Sequence, residues 1–137
     1  MGPVAIHVVD DEPSVRVALE RLLSASGFGV RTFESAEDFL ASAGGEKGCL
    51  VLDIELPGMS GIELQDELIE RGNGWEIVFL SAQRDIIVRS RSALIEKGAV
   101  AVLEKPTRAM DLLDAIHRAL KRLGITHSPR ADQPPPV

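Results

Sequence analysis

Short, nearly continuous apolar runs alternate along this chain with longer stretches in which apolar residues recur at helical spacing. The runs cover residues 4–9, 28–33, 49–53, 76–80 and 100–103, and their character predicts strands buried on both faces. Between the first two, residues 13–26 carry Val15, Ala18, Leu19, Leu22 and Leu23 on one helical face. Pro13 suits the first turn of that helix and Gly27 its end. Ser35-Ala-Glu-Asp38 has the form of a capping box and starts a short helix through Phe39 and Leu40 that closes at Gly44-Gly45. Residues 61–71 form a third helix with Ile62, Leu64, Leu68 and Ile69 apolar, stopped by Gly72, and residues 84–97 a fourth, stopped by Gly98. Thr107 caps a last helix to Leu123, with Leu112, Leu113, Ile116, Ala119, Leu120 and Leu123 facing inward.

This alternation of strand and helix predicts an α/β fold, a doubly wound five-stranded parallel sheet with right-handed crossovers. The 137 residues suit one domain over 1–123. The stretch 124–137 holds four of the eight prolines and no apolar period, so it is expected to be a disordered tail or linker.

The strand ends carry the chemistry. The first run ends in Asp10-Asp11, the third in Asp53, the fourth in Ser81, and the fifth is followed by Glu104, Lys105 and Pro106. In an open parallel sheet those ends share one edge, where ligands bind. Carboxylates converging there repel one another, and a divalent cation relieves the repulsion; all-oxygen ligation with open water positions suits Mg²⁺, with Mn²⁺ a possible substitute. Each group read singly has a plain structural role: helix capping for Asp10-Asp11, turn chemistry for Asp53 before Pro57-Gly58, a cap for Ser81, a solvated lysine for Lys105. Capping alone gives no reason for several strand ends to carry such different groups.

Composition narrows the partners. A net charge of −6, from 15 basic and 21 acidic residues, argues against direct nucleic-acid binding by this chain. No apolar stretch has membrane-spanning length and no N-terminal signal pattern appears, so a cytoplasmic location is expected. The single cysteine, Cys49, excludes an internal disulfide and lies in a strand run, which predicts a buried, inert thiol. His7, His117 and His127 have no ligand spacing, Met59 and Met110 are expected to pack, and Trp75 is expected near the start of the fourth strand.

The ordered set Val9-Asp10-Asp11-Glu12, Leu52-Asp53-Ile-Glu-Leu-Pro57-Gly-Met-Ser-Gly61, Leu80-Ser81-Ala82, Gly98-Ala99 and Glu104-Lys105-Pro106 resembles the receiver domains of two-component response regulators. The likeness is strongest to receivers of the nitrogen-fixation and nitrate regulator type, which precede a helix-turn-helix DNA-binding domain. It implies a flavodoxin-like receiver fold with strand order 2-1-3-4-5. It implies that Asp53 is the phosphorylation site and that Asp11 and Asp53 bind Mg²⁺ directly, Asp10 through water, with the backbone carbonyl of Glu55. Ser81, Ala82 and Lys105 would meet the phosphoryl group, while Pro57, Gly61 and Pro106 would shape the loops, the last in a peptide bond that is often cis in the family. Glu55 and Gln83 would influence phosphoryl lifetime.

The resemblance also implies partners: a sensor histidine kinase or histidine phosphotransfer protein, and a homodimer through the face from the fourth helix to the fifth. It implies a signalling protein that catalyses only its own phosphorylation and dephosphorylation and feeds transcription regulation. Three features depart from the family: the residue three before the lysine is usually Tyr or Phe and here is Val102, the residue after Lys-Pro is often Phe and here is Thr107, and the segment Gln83 to Lys97 is about two residues longer. The fourth helix is basic, with Arg84, Arg89, Arg91 and Lys97, and is a candidate partner face. Three alternatives stand beside this reading: a degenerate receiver acting as an interaction module, a phosphohydrolase of haloacid-dehalogenase type, and a flavin binder. Asp53-Ile-Glu55 lacks the second aspartate that the phosphohydrolases use, and no Ser/Thr/Gly-rich phosphate loop follows the first strand.

Overall fold

The computed structural model describes residues 4–43, 46–72 and 74–125. In chain order the elements are β1 (Ala5–Val9), α1 (Pro13–Ala25), β2 (Gly29–Phe33), α2 (Ala36–Ala43), β3 (Gly48–Asp53), α3 (Gly61–Glu70), β4 (Trp75–Ser81), α4 (Arg84–Glu96), β5 (Ala101–Glu104) and α5 (Ala109–Arg122). The five strands form one sheet in the order β2-β1-β3-β4-β5, and every pairing is parallel.

Side chains alternate across the strands, so each strand feeds two cores. Val9, Leu50, Leu52, Ile77, Phe79 and Val102 pack with α2, α3 and α4 on one face. Ile6, Val8, Val51, Val78, Leu80 and Ala101 pack with α1 and α5 on the other. That two-sided burial is why the strands read as apolar runs rather than as alternating sequences. Cys49 is fully buried on the second face, and burial pushes its thiol up to about 12, which leaves it protonated and inert. Trp75 opens β4 and is buried.

Local signals set the ends. Pro13 occupies the first turn of α1, and Gly27, Gly72 and Gly98 follow their helices with positive φ, as the helix stops require. Ser35 accepts from the Asp38 N–H at the start of α2. The fuller capping box belongs to α3: Ser60 accepts from the Glu63 N–H while the Glu63 carboxylate accepts from the Ser60 N–H.

Several expectations need correction. Thr107 does not cap α5; Arg108 holds that position without a side-chain cap, because the chain runs on after Pro106 before turning helical. Met110 is 73% exposed rather than packed, since α5 turns its first residues outward. Ile69 of α3 and Ala18 of α1 are also exposed, each lying at the rim of its helix's apolar stripe. Gly44-Gly45, His127 and residues 126–137 of the expected tail lie outside the described residues.

Candidate functional site

All strands run one way, so the loops after β1, β3, β4 and β5 meet at one edge of the sheet. Register fixes how closely: Val9 lies beside Leu52, Asp53 beside Leu80, and Ser81 beside Glu104. Asp10 follows β1 directly, Asp53 ends β3, and Ser81 ends β4. Asp10, Asp53 and Ser81 are buried, with Ser81 fully so, while Asp11 is exposed at the mouth.

Asp10 and Asp53 are held in the same way. Asp10 Oδ1 accepts the Glu12 N–H at 2.9 Å, and Asp53 Oδ1 accepts the Glu55 N–H at 3.2 Å, each two residues on. This leaves Oδ2 of each carboxylate turned to one lysine: Lys105 Nζ lies 3.0 Å from Asp10 and 3.4 Å from Asp53. Arg16 of α1 donates to the Asp10 carbonyl at 2.7 Å and fixes the turn from the other side. The Lys105-Pro106 peptide is cis, and the Lys105 N–H donates to the Ser81 carbonyl at 2.8 Å.

The charges are unbalanced. Burial, then the neighbouring Asp10 carboxylate, pushes Asp53 up to about 7 against the pull of Lys105. Burial works against the Lys105 ammonium, but its hydrogen bond to Asp10 and the charge of Asp53 outweigh it and hold its pKa above the ordinary value. One carboxylate oxygen each from Asp10, Asp11 and Asp53 lie within 4.8 Å of one another. Three hard oxygen donors with one side open to water, and one carboxylate held back from ionising, fit a small divalent cation.

The loop after β3 is braced from outside. Glu37 of α2 accepts the Met59 N–H at 3.0 Å, and that bond holds its carboxyl below the usual range. Gly61 approaches so closely that a Cβ there would strike the Asp53 carbonyl oxygen, while its N–H donates to the Ile54 carbonyl at 3.0 Å. Pro57 is exposed at the turn. Ser81 Oγ accepts the Gln83 N–H at 3.0 Å and donates to the Glu55 carboxylate at 2.7–2.8 Å. Ala82 is exposed and, with Lys105, Pro106, Val15, Leu19 and Leu80, lines a cavity of about 400 Å³ beside the acids.

The edge therefore gathers Asp10, Asp11, Asp53, Glu55, Ser81, Ala82, Lys105 and Pro106, while Val102 is buried on the α4 side, away from the acids. Sequence reasoning missed the braces Arg16 and Glu37, and it named Glu55 for phosphoryl lifetime without its contact to Ser81. A lone charged residue carries no mark of the backbone atom it will reach, and only Glu55, two residues past Asp53, stood where a signal could be sought. The basic residues of α4 are engaged within the chain: Arg84 with Glu104, Arg89 with Asp85, Lys97 with Asp66, and Arg91 with the Val102 carbonyl. His7 is buried in β1 among Trp75, Phe33 and Phe39, with neither ring nitrogen hydrogen-bonded.

Known proteins are similar to this chain in sequence and in fold. The chain is 47% identical over 116 residues to the transcriptional regulatory protein TdiR of Thauera aromatica, a match covering 84% of this chain and 50% of that protein. It is similar to the solved structure of the response regulator StyR, with a TM-score of 0.82 and 43% identity over 90% of this chain and 62% of that one. It is similar also to the crystal structure of FixJ-N, with a TM-score of 0.77 and 34% identity over 90% of this chain and 98% of that one. The chain spans about half the length of the curated relatives it matches. The family model for the response regulator receiver domain matches residues 6–117, the stretch from β1 through most of α5 that builds both the sheet and its acidic edge, and the chain belongs to that family.

Proposed function

We propose that Asp53 accepts a phosphoryl group from the phosphohistidine of a sensor histidine kinase or a histidine phosphotransfer protein. The P–N bond of the donor breaks, a P–O bond to Asp53 forms, and the donor imidazole keeps the electron pair and takes up a proton. The observation that carries this reading is Lys105, whose ammonium lies against both Asp10 and Asp53 and can follow negative charge onto a phosphoryl oxygen. Asp10, Asp11 and Asp53, with the Glu55 carbonyl, would hold Mg²⁺. When bound, the ion supplies positive charge that relieves repulsion between the acids and the incoming phosphoryl oxygens. Ser81 donates its hydroxyl to the same group, Ala82 leaves that approach open, and Pro57, Gly61 and Pro106 shape the loops around it.

The aspartyl phosphate carries about −1.5 to −2 of charge in place of the Asp53 carboxyl at a buried edge and biases the β3–α3 and β4–α4 loops and α4 between two arrangements. Relatives named transcriptional regulators support an output in transcription, delivered by a further domain or partner. The face from α4 through β5 to α5, where Val88 and Met110 are exposed, is the proposed homodimer surface. Residues 1–123 act as the receiver and 124–137 as a tail or linker. A cytoplasmic location fits the buried thiol of Cys49, and among the described residues no helix is long and apolar enough to cross a membrane.

Intact-mass spectrometry with Mg²⁺ and acetyl phosphate tests the reading. A single phosphoryl adduct that is absent from Asp53→Asn is expected. No adduct in the wild type overturns it in favour of an interaction module. Exchanging both Glu55 and Gln83 is expected to change the adduct's lifetime without blocking its formation, and an unchanged lifetime counts against a role for this pair.

A further inference from the structure

Among the described residues Ser81 is the one hydroxyl at the acidic edge that is wholly buried, and its single proton is already committed. Its Oγ lies 2.7 Å and 2.8 Å from the two carboxylate oxygens of Glu55, within hydrogen-bond distance of both, and the carboxylate is a charge-assisted acceptor for the hydroxyl proton. The Gln83 N–H donates to the same oxygen at 3.0 Å, which leaves the proton no other strong acceptor; the Gln83 carbonyl, at 3.4 Å, is the next. Glu55 is itself anchored, because its own N–H donates to Asp53 Oδ1. The result is a closed connection from Asp53 through Glu55 to Ser81 and the first residues of the β4–α4 loop.

We propose that Glu55 is a positioning residue that clamps the Ser81 hydroxyl in the resting state, its carboxylate standing where a phosphoryl oxygen must later accept. This rests on Asp53 being the phosphoryl acceptor. A hydroxyl has one proton to give, so a phosphoryl group gains the Ser81 hydrogen bond only by displacing Glu55. Displacement leaves a half-buried carboxylate to find water, and part of the phosphoryl group's binding energy offsets that cost. The clamp thus sets how far an occupied site leans toward its switched arrangement, and joins the β3–α3 loop to the β4–α4 loop until it opens. A bystander carboxylate would act on the phosphoryl group by charge alone; the clamp acts through Ser81.

The test uses beryllofluoride, a stable mimic of the aspartyl phosphate, titrated in Mg²⁺ and followed by fluorine NMR. Glu55→Ala is expected to tighten its binding by about tenfold, the size of one hydrogen bond to a charged group. Glu55→Gln, which keeps an acceptor for Ser81, is expected to gain distinctly less. In the Ser81→Ala background the gain from Glu55→Ala should vanish. A gain that survives in Ser81→Ala, or is equal in Glu55→Gln, overturns the clamp and leaves simple charge repulsion; so does no gain at all. If Ser81→Ala binds too weakly to titrate, the comparison of Glu55→Gln with Glu55→Ala decides. If wild type binds no beryllofluoride, the phosphoacceptor reading fails, and the clamp is read from the Gln83 amide resonance. That resonance shifts in Glu55→Ala if the clamp exists and stays in place if it does not.

Discussion

Arg91 of α4 donates a hydrogen bond to the backbone carbonyl of Val102, at 2.6 Å. Val102 lies in β5, the edge strand of the sheet, whose outer carbonyls have no strand to pair with. The guanidinium covers one of them and ties the middle of α4 to β5 at the position where receivers usually carry an aromatic ring. Val102 has no ring to rotate, and the arginine adds a polar tie to the apolar packing of Val102 with Ile87 and Leu94 and to the Arg84–Glu104 ion pair. Arg91→Ala is expected to lower stability by about 1 kcal/mol in urea unfolding, with Arg91→Lys recovering part of it. Phosphoryl uptake at Asp53 should persist in both variants, because Arg91 touches none of the acids.

Asp53 carries a second expectation, in its pH dependence. Its pKa is raised from 3.8 to about 7 by burial and by Asp10, so between those values the folded state holds a proton that the unfolded chain has released. Stability from this group is therefore lost as pH rises from about 4 to about 7 and is flat above that. Asp53→Asn removes the penalty and should be more stable than wild type at neutral pH without divalent cation. Adding Mg²⁺ should raise the melting temperature of wild type more than that of Asp53→Asn. Chelation with EDTA should reverse the gain. Equal melting temperatures for the two proteins throughout would show that Asp53 is not held under this strain.

His7 behaves in the opposite sense. Burial, then the charge of Arg31, lowers its pKa below 6.5, against the weaker pull of Glu46. The folded protein keeps the ring neutral among Trp75, Phe33 and Phe39, while the unfolded chain protonates it at its ordinary value. The contribution is intact above about pH 6.5 and is lost as pH falls from there toward the lowered folded value. His7→Phe should flatten that part of the acid limb in urea midpoints taken between about pH 5 and pH 8. An acid limb as steep as that of wild type would assign the loss to other groups.

The sheet was legible because strands buried on both faces write unbroken apolar runs, and because Pro13, Gly27, Gly72 and Gly98 punctuate them. Asp10, Asp53, Ser81 and Lys105 were legible as a set because a parallel sheet sends all its strand ends to one edge. The start of α5 was misread because Thr107 is a good capping residue by type, and the chain after the cis Lys105-Pro106 bond takes extra length before its first helical turn. Met110 was misread because an isolated apolar residue in a first turn carries no period. Glu55, Glu37 and Arg91 act through contacts to a hydroxyl or a backbone atom far along the chain, and residue type alone holds no trace of such a partner.

Gly61 gives the sharpest test of how closely the loop after β3 is fitted to the acid. It is the first residue of α3, and a Cβ there would fall on the Asp53 carbonyl oxygen and 3.0 Å from the Ile54 Cα. Both obstacles are backbone, so no side-chain rotation relieves them. The loop must instead move outward, which stretches the Gly61 N–H bond to the Ile54 carbonyl and turns Asp53 away from Lys105. Gly61→Ala is therefore expected to cost about 2 kcal/mol of stability. At a temperature where the variant remains folded, it should slow adduct formation with acetyl phosphate far more than Gly72→Ala. Gly72 has nothing within 4 Å of its missing side chain, and the cost there comes only from its positive φ of 97° at the end of α3. Comparable uptake by the two variants would mean that the close approach of Gly61 does not position Asp53.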